Sequence, residues 1–200
     1  MKLQTVCLIV GASLLAGCWQ KSLNAFYTPA DVVVEPKIVG AWQQVDEEGK
    51  KDNEQIWTFT AGADKSYRLE FKNKEEALHY EVHFFKLDGQ RFMDILSMDQ
   101  SVSTIPAHHL FKILEIGTNL QMAMLNLDWM QKQLRQNPTA LAHMTIIDPE
   151  HREDRDKDEF ILTADTKALQ AFVRRHQSDS DLFTGPVKLR PMQPETAAKK

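Results

Sequence analysis

His79-x-Glu81-x-His83 carries the most readable chemistry in this chain, with two imidazoles and a carboxylate at every second position. In a β-strand that spacing places all three side chains on one face. Two imidazoles and a carboxylate can hold zinc and leave a coordination position open for water. Same-face neighbours on a strand stand ~7 Å apart, however, while zinc takes its ligands at ~2 Å. The spacing thus favours two of the three together with a residue from a neighbouring strand, and an outward polar face explains the row equally well.

His108-His109 follows Pro106, and adjacent strand residues face opposite ways, so only one of the two can join a site with His79 or His83. Asp154-x-Asp156-x-Asp158 imitates the start of a calcium loop. Its sixth position is Glu159 rather than Gly and its twelfth is Asp165 rather than Glu, and Arg152, Arg155 and Lys157 neutralise the acids. A solvated loop is the expectation there. The chain contains no Gly-x-Ser-x-Gly elbow, no phosphate-cradling glycine loop and no His-Glu-x-x-His pair. The expectation is a protein that is not an enzyme and needs no cofactor, with a metal-dependent hydrolase using His79 and His83 as the less favoured alternative.

The elements that position these residues read as strands. Ile38–Val45, Gln55–Thr60, Ser66–Lys72, Leu78–Leu87, Arg91–Leu96, His108–Ile116 and Leu120–Leu127 are short, rich in aromatic and branched residues, and separated by turns. Ser66–Lys72 alternates cleanly, with Tyr67, Leu69 and Phe71 on one side and charge on the other. Asp88-Gly89 is a two-residue hairpin signal. Further strands are expected near Ala142–Ile147 and Glu159–Leu162, and helices at Trp129–Gln136, capped by Asp128, and from Asp165 to His176. The fold class is mainly β, an α+β chain whose antiparallel meander closes into a small barrel or strongly bent sheet, with two short helices in the C-terminal third. Trp42, Trp57, Phe59, Tyr67, Phe71, Tyr80 and Phe84 share the inward faces, and would line a ligand cavity if the barrel is open or fill it if it is small. Leu120, Met122 and Met124 face one way and Ala123, Leu125 and Leu127 the other, so this strand is expected to be covered on both sides.

The start of the chain gives an address. Lys2 precedes an apolar run from Val6 to Ala16, and Leu15-Ala16-Gly17-Cys18 ends it. The run falls short of the ~20 residues a membrane span needs, and the layout is that of a cleaved signal peptide. The four residues resemble the lipobox of bacterial lipoproteins at every position. That resemblance implies cleavage before Cys18, lipid on its sulfur and an acylated amine. Several acyl chains on one cysteine give stable anchoring where a single chain would be marginal. Trp19 stands where an Asp tends to retain such proteins at the inner membrane, so the resemblance implies a cell envelope location, most directly the outer membrane.

Gly40-x-Trp42 resembles the opening signature of lipocalins, without their Thr-Asp-Tyr motif midway. Phe160–His176 resembles the tail of bacterial lipoproteins of unassigned function, which carries no activity with it. Both cysteines are accounted for by the leader and the lipid, so packing rather than a disulfide must stabilise the domain. A net charge of −4 offers no footprint for nucleic acid or anionic headgroups. The expected organisation is a signal peptide at 1–17, a lipidated tether at 18–37 able either to reach roughly 60 Å or to dock through Phe26 and Tyr27, a β-rich domain at 38–184 and a loose polar tail at 185–200. The expected role is binding an apolar small molecule in a barrel, with assembly onto another envelope protein as the alternative.

Overall fold

A computed structural model describes residues 19–46, 48–74, 76–98, 105–147 and 158–192. The expected signal peptide at 1–17, Cys18 and the acids Asp154 and Asp156 lie outside the described residues. The chain forms β1 (Lys21–Ser22), β2 (Val32–Val33), a 3-10 turn at Pro36–Ile38, β3 (Gly40–Val45), β4 (Lys51–Ala61), β5 (Tyr67–Lys72) and β6 (Ala77–Leu87). There follow β7 (Gln90–Ser97), β8 (His108–Ile116), β9 (Leu120–Met124), α1 (Leu127–Gln136), β10 (His143–Ile146), β11 (Glu159–Leu162), α2 (Thr166–His176) and β12 (Val187–Pro191).

Strands β3 to β9 pair in sequence, and β12 bridges β9 and β3, closing an eight-stranded antiparallel barrel. Closure removes the two free edges that a bent sheet would leave. The alternation in the sequence survives in the structure: along β5 every second residue is buried. Asp88 and Gly89 both take positive φ, 49° and 80°, which gives the β6–β7 hairpin the mirror-image turn that matches strand twist.

Two cores result. Inward residues of all eight strands fill the barrel. Outside it, Phe85, Phe92 and Leu110 on β6, β7 and β8 pack beneath α1, α2 and β11. Strand β9 serves both cores, with Leu120 and Met122 in the interior and Leu125 just beyond it under the helices. Among the described residues no helix is long and apolar enough to cross a membrane.

Three expectations are corrected. The segment from Trp19 to Lys37 is not extended but docked, through Phe26 and Tyr27 and also through strands: Trp19, Gln20, Ser22 and Phe26 are buried, β1 pairs with β8 and β11, and β2 pairs with β6. Val187–Pro191 belongs to no loose tail but is the strand that closes the barrel, and Leu189 is wholly buried. Only α2 lies in the C-terminal third, and the cap of α1 is Asn126, whose side chain accepts from the Trp129 N–H at 3.2 Å, with Asp128 in the first turn.

Candidate functional site

The barrel interior brings together every aromatic residue that the alternation places inward. Trp42, Trp57, Phe59, Tyr67, Phe71, Tyr80 and Phe84 belong to one cluster, and none is more than 3 % exposed. A cavity large enough for water would leave its wall atoms accessible, so in this structure the side chains fill the barrel. They pack edge-to-face, Trp57 on Phe71 at 5.0 Å between centroids and Tyr67 on Phe84 at 5.4 Å. Trp42 donates its indole N–H to the Ile38 carbonyl at 2.7 Å, and the Tyr67 hydroxyl accepts from the Glu35 N–H at 2.8 Å.

Two buried members of this core do not come from the barrel strands, Ile38 of the 3-10 turn and Trp19. Trp19, 4 % exposed, enters from the N-terminal segment and packs on Tyr80, His109 and Phe111. Its indole N–H has no hydrogen-bond partner, nor has that of Trp57, and the Gln55 side-chain oxygen is buried and unpartnered too. Leaving a buried donor unsatisfied costs roughly 1–3 kcal/mol. Gln55 shares the inward face of β4 with Trp57. Two donors and an acceptor without partners therefore stand in an interior whose Trp42 and Tyr67 polar groups are paired.

No protein-family model, curated protein or solved structure matches this chain. The functional reading comes from the chain's own geometry.

Outside the barrel, His79, Glu81 and His83 do stand in a row on the outer face of β6, opposite Leu78, Tyr80, Val82 and Phe84. They do not converge. His79 lies 3.9 Å from Glu70, while His83 shares a 2.9 Å hydrogen bond with the Tyr27 hydroxyl and lies 3.7 Å from Glu81. Among the described residues no three His, Cys, Asp or Glu side chains are placed to hold a metal.

His83 belongs instead to a polar patch beneath the N-terminal segment. Its ring stacks on Tyr27 at 4.5 Å, and it faces Asp94 across the β6–β7 pair. Asp94, 1 % exposed, accepts from the Phe26 N–H at 2.9 Å and pairs with His108 at 2.6 Å. Burial holds His83 below the ordinary imidazole range despite the Glu81 and Asp94 carboxylates. Burial, with those same charges, pushes Tyr27 up to about 12. Gln170 of α2 locks the segment from the other side, donating to the Phe26 carbonyl and the Asp31 carboxylate, both at 2.9 Å. Burial raises the Asp31 pKa, but bonds from Gln170 and Thr28 outweigh it and hold the acid below its usual range.

His108 and His109 divide as adjacent strand residues must. His108 turns outward to Asp94, and His109 turns into the barrel mouth against Trp19, with its Nδ1 3.1 Å from the Gln20 carbonyl. Burial pushes His109 down to about 4. The sequence reading missed Trp19, His109 and Asp94 as a set. Trp19 sits in a short segment without periodicity, and its role shows only once β1 is seen on the edge of β8.

Proposed function

We propose that this chain is a lipid-anchored envelope protein whose barrel takes up a small, largely apolar molecule at the end stoppered by Trp19. The observation that supports it is the origin of that stopper. The barrel's own strands supply the wall, while Trp19, packed on Tyr80 and Phe111, comes from an N-terminal segment held from outside. Moving Trp19 aside would free an aromatic space at the mouth without breaking any pairing between barrel strands. The Trp19 side chain itself has no polar bond to break. The unpartnered Trp57 indole and Gln55 oxygen would meet a polar group on an otherwise apolar guest. The resemblance of Leu15–Cys18 to a lipobox supports attachment by acyl chains.

Titration of the purified chain with the apolar fluorophore N-phenyl-1-naphthylamine tests this reading. The wild type should bind saturably, and Trp19→Ala should bind about tenfold more tightly because the stopper no longer competes. No saturable binding by the wild type would contradict the proposal, even if Trp19→Ala binds, since truncation alone can open a cavity.

A further inference from the structure

Strand β10 ends the sheet. The order there is β10-β11-β1-β8, and no described strand pairs with the outer side of β10. An open edge of this kind can take up another strand, and proteins that stay single block it with charge, proline or a bulge. β10 has none of these. His143-Met144-Thr145-Ile146 and the following Ile147 contain no acid, no lysine or arginine and no proline, and the register with β11 runs without a shift. Met144, Ile146 and Ile147 are 41 %, 42 % and 49 % exposed.

The hydrogen bonds of β11 show which backbone groups of β10 face outward. Thr163 donates its N–H to the Ala142 carbonyl at 2.9 Å, so residues 159, 161 and 163 bond toward β10. The Leu162 carbonyl accepts from the Leu23 N–H at 2.9 Å, so residues 160 and 162 bond toward the N-terminal segment. Ile161 stands opposite Met144 and Glu159 opposite Ile146, and the backbone groups of Met144 and Ile146 are thus directed at β11. Those of His143, Thr145 and Ile147 point to the open side. Side chains alternate as well. His143 packs edge-to-face on Phe160 at 5.0 Å, on the face that belongs to the outer core, while Met144 and Ile146 take the opposite face beside Ile161.

This strand is complementary to itself about Thr145. An antiparallel second copy, set with Thr145 opposite Thr145, brings His143 opposite Ile147 at both ends. Each of these three pairs exchanges both N–H···O bonds, and a slip of two residues either way loses one pair. Met144 then falls opposite Ile146 of the second copy, and the reverse, so apolar side chains cover one another. Thr145 on Thr145 is a favourable cross-strand pair. Glu159, opposite Ile146 on that face, is already paired with Lys21 at 2.7 Å. A partner selected by charge would find no counter-charge on this edge, whereas a second copy matches its hydrogen bonds, its apolar surface and its neutrality.

We infer that β10 is a self-association edge, through which two copies of this chain pair antiparallel over residues 143–147 about a two-fold axis at Thr145. Strands β11 and β1 separate this edge from β8, so the pairing leaves Trp19 and the barrel untouched and depends on neither a guest nor an anchor.

Oxidative crosslinking of the full chain in its host membrane tests this. Thr145→Cys places two thiols at the axis, with α-carbons ~5.5 Å apart in a hydrogen-bonded pair, within the reach of a disulfide. Ile147→Cys is the control on the same edge, because its two copies would stand roughly 13 Å apart along the strands, beyond that reach. The wild type, whose only cysteines are Cys7 and Cys18, sets the background. Copper–phenanthroline oxidation should give about fivefold more disulfide dimer, or better, from Thr145→Cys than from Ile147→Cys or the wild type. Adding Ile146→Lys, a charge at an exposed position within the apolar strip, should lower that yield about tenfold. Equal yields at 145 and 147, or no dimer at 145 above the wild type, overturn the pairing. So does a dimer that Ile146→Lys leaves intact. A disulfide from position 145 to a different protein gives the edge to that protein and overturns the second copy as its occupant.

Discussion

Trp19 and Phe111 meet edge-to-face, with ring centroids 5.4 Å apart and planes at 88°. The contact joins the first described residue to the middle of β8, and it converts an N-terminal segment into part of the barrel core. Much of the molecule's behaviour should follow from it.

Trp19→Ala should destabilise the fold by about 3–5 kcal/mol, the range for removing a large aromatic from a packed core. Relaxation of the mouth would bring the loss toward the lower end. Urea denaturation gives the value. A loss below about 0.5 kcal/mol, as for a surface residue, would mean that the segment is only a tether.

His109 should make the protein sensitive to mild acid. Its folded pKa of about 4 lies below the ordinary 6.5. Between those values the unfolded chain takes up a proton that the folded chain refuses. The contribution is therefore complete above about pH 6.5 and is lost as pH falls toward 4, amounting to on the order of 3 kcal/mol. His109→Gln should flatten stability against pH within that window. An unchanged slope would show that other groups dominate it.

Asp94 and His108 form a pair buried on the acid's side, 2.6 Å apart. Removing the acid leaves the His108 imidazole without its hydrogen-bond partner, so Asp94→Ala should cost roughly 1–3 kcal/mol. It also frees the Phe26 N–H, loosening the segment that leads to Trp19. A double-mutant cycle with His108→Ala should give a coupling above 1 kcal/mol. Additive losses would assign Asp94's role to Phe26 alone.

Leu189 tests the barrel closure. It pairs with Gln44 on one side and Leu120 on the other and is wholly buried. Leu189→Ala should cost about 2–5 kcal/mol, whereas the same change in a solvated tail would fall within about 0.5 kcal/mol.

What the sequence made legible was whatever repeats with period two over several residues. Tyr67, Leu69 and Phe71 read as inward from alternation alone, as did the outward row of His79, Glu81 and His83. The partners of that row were not legible, because Tyr27, Glu70 and Asp94 come from other segments. Closure by β12 was hidden by composition. Val187-x-Leu189-x-Pro191 does alternate, but over only five residues amid Lys, Arg and Pro. Strand β1 has two residues and no pattern at all, so only its neighbours β8 and β11 define it. The lined-or-filled question about the barrel turns on side-chain volumes meeting across strands, which no single strand records.

The most direct test of the account is native mass spectrometry of the acylated protein and its Trp19→Ala variant, released gently from their own membrane. The account predicts Cys18 at the mature N-terminus with its acyl chains, and a small apolar molecule bound one to one, at higher occupancy in Trp19→Ala. A wild type that carries no small molecule and takes up none from apolar extracts would contradict it, leaving a barrel whose core is permanently closed by Trp19.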